Sequence, residues 1–391
     1  MTSRLIAGKK IAIVGGGPGG LTLARLLQIN GADVQVYERD INRNVRDQGA
    51  TLDLHQESGL AALNQAGLMN EFRANYRPGA DLMRIADSQA NIIHDEHGET
   101  RQAGFGDEHF RPEIDRGPLR NILLDSLEPS TVVWYRHTES IEKTEDGWTL
   151  HFNNGKAAEA DIVIGADGAN SKIRPVLTSI KSFYTGFTAV EGGIRLSSAY
   201  APKIHELLKG GKLFAMGDET TLIVSSKGDG SLAFYVGFAA SELWQQDCGI
   251  NFYDNESVLA WFKRDFPDWS PIWHELFETE QAHFTVRPLY CMPLDQTWES
   301  RPDITLLGDA AHLMPPYAGE GVNMAMLDAL ELSRCLIDGD FDDLQSAISA
   351  YEIEMRKRGS EAAKDSLDNT RLMHSANSIA NMMAIFKGAN P

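Results

Sequence analysis

Cysteine is scarce in this chain: three occur in 391 residues, Cys248, Cys291 and Cys335, far apart and odd in number. They argue against a metal knuckle and for a reducing, cytoplasmic compartment. Basic residues are also short, with 36 Lys+Arg against 55 Asp+Glu, a net charge of −19. That balance argues against nucleic acid, whose phosphates would be repelled, and against docking on anionic lipid. No apolar run reaches the ~20 residues that span a bilayer. Met1 to Lys9 holds no h-region and no cleavage site, so no secretory signal is expected. Internal repeats and low-complexity segments are missing too. The length allows about two to three domains.

What is present starts with a glycine cluster. Lys10-Ile11-Ala12-Ile13-Val14 is an apolar, β-branched run suited to a strand buried on both faces. Gly15-Gly16-Gly17-Pro18-Gly19-Gly20 follows and supplies G-x-G-x-x-G. Leu21 to Asn30 carries apolar residues at helical spacing, and Gly31 sits where that helix would stop. Val34-Gln35-Val36-Tyr37 predicts the second strand, ended by Glu38. Gly15, Gly17 and Gly20 allow a tight turn, close approach of backbone N–H groups to a pyrophosphate, and helix against strand without a Cβ between them. The helix N-terminus, opening at Pro18, then faces the phosphates. Glu38 is placed to accept hydrogen bonds from a ribose diol. The motif alone does not choose between NAD and FAD.

Further along, Thr51-Leu52-Asp53-Leu54 reads as extended, Glu57 to Phe72 as a helix, and 78–100 as an excursion of short strands with polar turns. Arg116 to Leu127 predicts a helix with Leu119, Ile122, Leu123 and Leu127 on one face. From Tyr184 to Phe284 strands alternate with aromatic-rich segments. Thr221–Ser225 and Leu232–Phe238 flank Gly228-Asp229-Gly230, a hairpin signal. The end of the chain, from Leu344, reads as mostly helical with Gly339 and Gly359 as interruptions.

Two more turns carry chemistry. Ile162-Val163-Ile164-Gly165-Ala166-Asp167-Gly168 is a strand followed by a tight polar turn. Ile304-Thr305-Leu306-Leu307-Gly308-Asp309 ends a strand on a carboxylate suited to a polyol. Pro315 to Asn323 follows, and its glycines bare another helix N-terminus, whose partial positive charge suits a flavin ring that becomes anionic.

These three motifs, in this order, resemble the class A flavoprotein monooxygenases, relatives of para-hydroxybenzoate hydroxylase. A closer resemblance is to the tetracycline-inactivating monooxygenases. It is carried by Tyr37-Glu38-Arg39-Asp40, Thr51-Leu52-Asp53-Leu54-His55, Glu113-Ile114-Asp115-Arg116 and Gly308 through Asn323. The resemblance implies an α/β fold: a Rossmann-type, glutathione-reductase-like FAD-binding domain, an inserted antiparallel-sheet substrate domain and a C-terminal helix. The expected division is 1–77, 101–178 and 285–340 for FAD, 78–100 and 179–284 for substrate, and 341–391 for the helical end. It implies FAD contacts at Gly15, Gly17, Pro18, Gly20, Glu38, Arg39, Asp53, Arg116, Asp167, Asp309, Gly319, Gly321, Val322 and Asn323. Arg46 matches an arginine associated with NADPH, a reasonable place for a cation on an acidic protein.

On the substrate side, Phe214, Phe234 and Tyr235 are expected in the pocket wall, Pro316 and Tyr317 on the substrate side of the flavin, and Met373 at a pocket-lining position. Where tetracycline-degrading members place Gln, Arg and His, this chain has Glu191, Lys212 and Ala233, and Glu320 stands where the family usually has Gln. The implied activity is NADPH- and O₂-dependent hydroxylation of a phenolic or polycyclic small molecule, a tetracycline first among them, by a monomeric enzyme. No side chain is named catalytic, because the flavin carries the oxygen chemistry, and no metal is expected. His94-Asp95-Glu96-His97 reads as a solvated turn, not a metal cluster. His312 has no nucleophilic Ser beside it. A same-fold reductase or halogenase and a non-catalytic flavin sensor remain as alternatives. The halogenase tryptophan motif is not reproduced by Asp268-Trp269-Ser270-Pro271-Ile272-Trp273.

Overall fold

The structure is a computed structural model that describes residues 3–45, 49–98, 104–107 and 110–386. Its first layer is a five-stranded parallel sheet. Lys10–Val14 lies between Asp33–Tyr37 and Ile162–Gly165, with Val132–Val133 outside the former and Ile304–Leu306 outside the latter. Strands covered on both faces need unbroken apolar runs, and Ile13, Val36, Ile164 and Leu306 are fully buried. Helices Pro18–Ile29 and Gly321–Ile337 pack on one another. A three-stranded meander, Thr138–Lys143, Trp148–Phe152 and Ala157–Ala160, adjoins this layer.

The second layer is a seven-stranded sheet. Its order is Ala282–Cys291, Phe183–Ile194, Leu232–Ala239, Thr220–Ser226, Lys212–Gly217, Met83–Asp87 and Ile92–Asp95. All neighbours are antiparallel except Lys212–Gly217 with Met83–Asp87, so the sheet is mixed. The short strands of the 78–100 excursion form its edge.

Alternation sorts its two faces. Val190, Leu213, Leu222, Val224, Phe234 and Val236 build one core with Trp261, Phe262, Trp273 and Phe277. The opposite face carries the register row Glu191, Tyr235, Ile223, Phe214 and Ile85. There Ile85 and Met216 meet Met373 and Met382, from helices Leu344–Met373 and Ser378–Phe386.

Two local expectations fail. The 57–72 helix is split into Gly59–Gln65 and Met69–Asn75, because Gly67 turns at φ +73° between them. Gly359 does not interrupt a helix: Leu344–Met373 runs through it for 30 residues. A Cβ at 359 would fall 2.8 Å from the Cβ of His312, so glycine there admits a buried neighbour.

Candidate functional site

Parallel neighbouring strands deliver their following turns to one edge of the sheet, the usual place for a ligand in open α/β layers. Gly15 follows Val14, Asp167 follows the strand ending at Gly165, and Asp309 follows the strand ending at Leu306. The turns touch. Gly15 has φ +111°, and a Cβ on it would overlap the Ala166 carbonyl. A Cβ on Gly19 would lie 2.8 Å from both the Ala325 carbonyl and the Leu307 side chain. Three distant stretches of sequence therefore form one site.

Glu38 is buried beside the glycine turn. Its carboxylate accepts the Gly16 N–H at 2.6 Å and the Asp40 N–H at 3.0 Å. Arg120 braces this corner, donating to the Gly16 carbonyl at 3.3 Å and to Asp40 at 3.1 Å. Arg39 is exposed at the strand end. Arg46 lies outside the described residues. Asp167 accepts the Lys172 N–H at 2.6 Å through one oxygen, and its other oxygen is buried without a hydrogen-bond partner. Burial pushes its carboxyl up.

Asp309 begins the short helix Asp309–His312. Its side chain is exposed, yet it sits in a recess deep enough that burial raises its carboxyl, against the opposing charges of His312 and Arg116. Arg116 opens helix Arg116–Asp125 and donates to the Ala50 carbonyl at 3.1 Å. Gly319, at φ +70°, lies against Asp53: a Cβ there would stand 3.3 Å from its carboxylate. Gly321 and Val322 begin helix Gly321–Ile337 and are partly open. Asn323 is fully buried, its amide donating to the Asp53 and Gly319 carbonyls and accepting the His55 N–H, so its side chain holds these segments together.

A charge cluster lies between this edge and the mixed sheet. His55 Nε2 is 3.2 Å from Asp53, and Nδ1 is 3.4 Å from Glu320. Burial alone would raise Asp53, but the hydrogen bond from His55 and the Lys212 charge bring it down to about 2. Burial raises Glu320, with His55 and Arg111 pulling the other way. Lys212 pairs with Glu113. Burial works against its charge, but Glu113 and Asp53 keep its ammonium above the ordinary range. Glu113 is itself raised by burial, with the Lys212 charge opposing.

Glu191, Tyr235, Phe214 and Lys212 share the sheet face turned to this cluster. The Tyr235 hydroxyl donates to Glu191 at 3.3 Å, and the Ala50 N–H donates to it at 3.4 Å. Pro316 is exposed, and Tyr317 reaches the same face at Thr221, 3.3 Å away. Met373 is buried against Ile85 and Met216. Phe234 is the correction: one residue before Tyr235, it points into the opposite core against Phe277 and Phe284. The His94–His97 segment holds an ion pair, Asp95 with Arg84 at 2.7 Å, and His97 Nδ1 lies 2.9 Å from Asp95.

Sequence reasoning missed His55, Arg120, Thr221 and His374. His55 had a signal, two residues from Asp53 and so on the same side of an extended segment. His374, beyond the end of a long helix, had none.

The glycine turn with a helix N-terminus behind it, the acid ending the second strand, the unsatisfied Asp167 oxygen and the open Asp309 carboxylate suit a dinucleotide gripped at both ends. Fold and turn chemistry thus define a Rossmann-type dinucleotide-binding protein. Residues 9–191 and 270–366 match the family described as "FAD binding domain", and the chain belongs to that family; its relatives include proteins named as monooxygenases. Monooxygenase asqM of Emericella nidulans is 28% identical, aligned over 92% of this chain and 94% of the relative. The 3-amino-4-hydroxybenzoate 2-monooxygenase PtmB3 of Streptomyces platensis is 30% identical over 88% of this chain and 83% of the relative. Among solved structures, Klebsiella pneumoniae HpxO complexed with FAD and uric acid superposes at TM-score 0.74 and 21% identity, covering 97% and 92% of the two chains. The tetracycline destructase Tet(55) does so at 0.75 and 19%, covering 97% and 95%. At these identities the structures speak for the fold.

Proposed function

We propose that this enzyme uses NADPH and O₂ to place one oxygen atom on a phenolic or polycyclic small molecule, with tetracyclines among the candidates. The observation that carries the reading is the meeting of the Gly15–Gly20 turn, Asp167 and Asp309 at one sheet edge, facing a second sheet across a partly apolar gap. When bound, the flavin supplies the oxygen-activating chemistry. The Gly15, Gly17, Pro18 and Gly20 backbone and Glu38 would hold the nucleotide half. Asp309, Asp53 and Arg116 would hold the other half, with Asp167 between. Gly319, Gly321 and Val322 leave the N-terminus of helix Gly321–Ile337 open to the ring, where its partial charge favours an anion. Glu320 stands at that end, where a carboxylate opposes this, and burial raises its carboxyl.

Arg46 is assigned to NADPH, and Arg39 to the FAD side with Glu38. The division at 1–77, 101–178 and 285–340 against 78–100 and 179–284 is proposed with the same function: one part grips the cofactor, the other presents Glu191, Lys212, Phe214 and Tyr235 to the substrate. Tyr317 and Met373 close the gap from the helical side and would exclude water.

Tetracyclines and simple phenols should be screened for faster NADPH consumption, and products weighed for one added oxygen. A phenol oxidised with every tetracycline untouched removes the antibiotic reading. A chain that takes up no FAD removes the proposal.

A further inference from the structure

We propose that Glu320 and His55 hold one proton between them, taken up when the flavin ring at the neighbouring helix N-terminus gains its negative charge. The inference rests on placing the ring there, as the proposed function does.

His55 is buried between two acids. Its Nε2 lies 3.2 Å from Asp53 and its Nδ1 3.4 Å from Glu320, and Nδ1 has no hydrogen-bond partner. With both carboxylates ionised, a neutral imidazole donates to Asp53 through Nε2 and turns a lone pair on Glu320. The space between Nδ1 and Glu320 then has room for one proton, which converts a repulsive contact into a charge-assisted hydrogen bond. Whichever atom carries it, the proton belongs to the pair. Glu320 immediately precedes helix Gly321–Ile337, and its side chain caps none of that helix's N–H groups.

An anion arriving at this helix end meets Glu320 as a like charge, and a proton on the pair relieves the repulsion. The surrounding charges are named segment by segment. Asp53 and Glu57, flanking His55 in sequence, favour the protonated acid, and Arg111, exposed before strand Glu113–Ile114, disfavours it. Lys212, from the mixed sheet, acts on Asp53 and is itself paired with Glu113. Burial of Glu320 favours the proton further.

The proton has a use. NADPH delivers a hydride, which is two electrons and one proton, and leaves the ring anionic. The pair takes a second proton from solvent. Hydroxylation of a substrate RH, written RH + O₂ + NADPH + H⁺ → ROH + H₂O + NADP⁺, consumes that second proton as one oxygen atom leaves in water. It is thus in the site before O₂ reacts.

The test is potentiometric titration of the FAD-loaded parent and Glu320→Gln from about pH 5.5 to about pH 8.5. Two electrons taken up with two protons give twice the dependence on pH of two electrons taken up with one. Over part of the range the parent's potential should therefore fall up to about twofold more steeply than the variant's. The two curves should meet at low pH and separate as pH rises. Where Glu320→Gln loses its flavin, His55→Gln takes its place, and the steep stretch should move by about one pH unit or more. Parallel curves at every pH overturn the proposal, as does a steep stretch that His55→Gln leaves where it was. Failure of the monooxygenase reading looks different: no flavin uptake, or no oxygenated product from any ring. An oxygenating enzyme whose two curves run parallel leaves that reading intact and removes this one.

Discussion

His374 Nε2 stands 3.3 Å from the Tyr317 hydroxyl, while its Nδ1 lies 2.7 Å from the Thr370 carbonyl. A carbonyl can only accept, so Nδ1 carries the proton and Nε2 is the acceptor. Thr221 Oγ1 is also 3.2 Å from Nε2. The end of the long helix is thus tied to the mixed sheet through a neutral imidazole. Burial holds His374 below its ordinary 6.5. The unfolded chain therefore takes up this proton at higher pH than the folded one, and stability falls as pH is lowered through about 6.5. Thermal melts at about pH 7.5 and about pH 5.5 should show a larger loss for the parent protein than for His374→Gln. Equal losses would remove His374 as the cause.

Lys212 and Glu113 should behave as one unit. Lys212→Met leaves a buried acid without its cation, at a cost of about 3–5 kcal/mol. Adding Glu113→Gln removes the stranded charge, so the double variant should be more stable than Lys212→Met alone. Chemical denaturation of all four proteins in the cycle measures the coupling. Strict additivity would contradict it.

Asp309 should oppose stability and serve binding. Its carboxyl is raised in the folded chain, so the fold disfavours the ionised form above the ordinary 3.8. By linkage, stability from this group declines as pH rises through its folded value. Asp309→Asn should then melt higher than the parent near neutral pH and retain less FAD after gel filtration. A variant that melts lower, or keeps its flavin fully, contradicts the assignment.

Phe234 and Tyr235 should separate packing from binding. Phe234→Leu should lower stability by about 1–2 kcal/mol while leaving ring affinity near the parent value. Tyr235→Phe removes the hydroxyl shared with Glu191 and Ala50, and should change ring affinity more than melting temperature. The reverse pattern would place Phe234 in the pocket.

Much of the fold was legible because its signals are local. The Lys10–Val14 run, the glycine turn and the hairpin around Gly228-Asp229-Gly230 announce themselves within a few residues, and strands form at Thr220–Ser226 and Leu232–Ala239. Which of Phe234 and Tyr235 faces the gap was not legible. Leu232 to Phe238 is apolar at nearly every position, and a strand packed on both faces gives no alternating pattern to read. Gly359 misled because a glycine that admits a distant side chain looks the same as one that ends a helix. His55, Thr221 and His374 gain their partners only when segments far apart in sequence meet. The sequence could not say that the Asn323 amide turns inward onto the Asp53 and Gly319 carbonyls.

The strand order has a consequence for synthesis. Ile304–Leu306 completes the parallel sheet beside Ile162–Gly165, with residues 166–303 intervening in the chain. While the ribosome has yet to deliver residue 304, the nascent sheet ends in an unpaired edge and lacks Asp309 altogether. Closing so long a loop is slow, and the bare edge invites wrong pairings in the meantime. The carboxylate assigned to the prosthetic group therefore joins the Gly15 turn only after that long loop has closed.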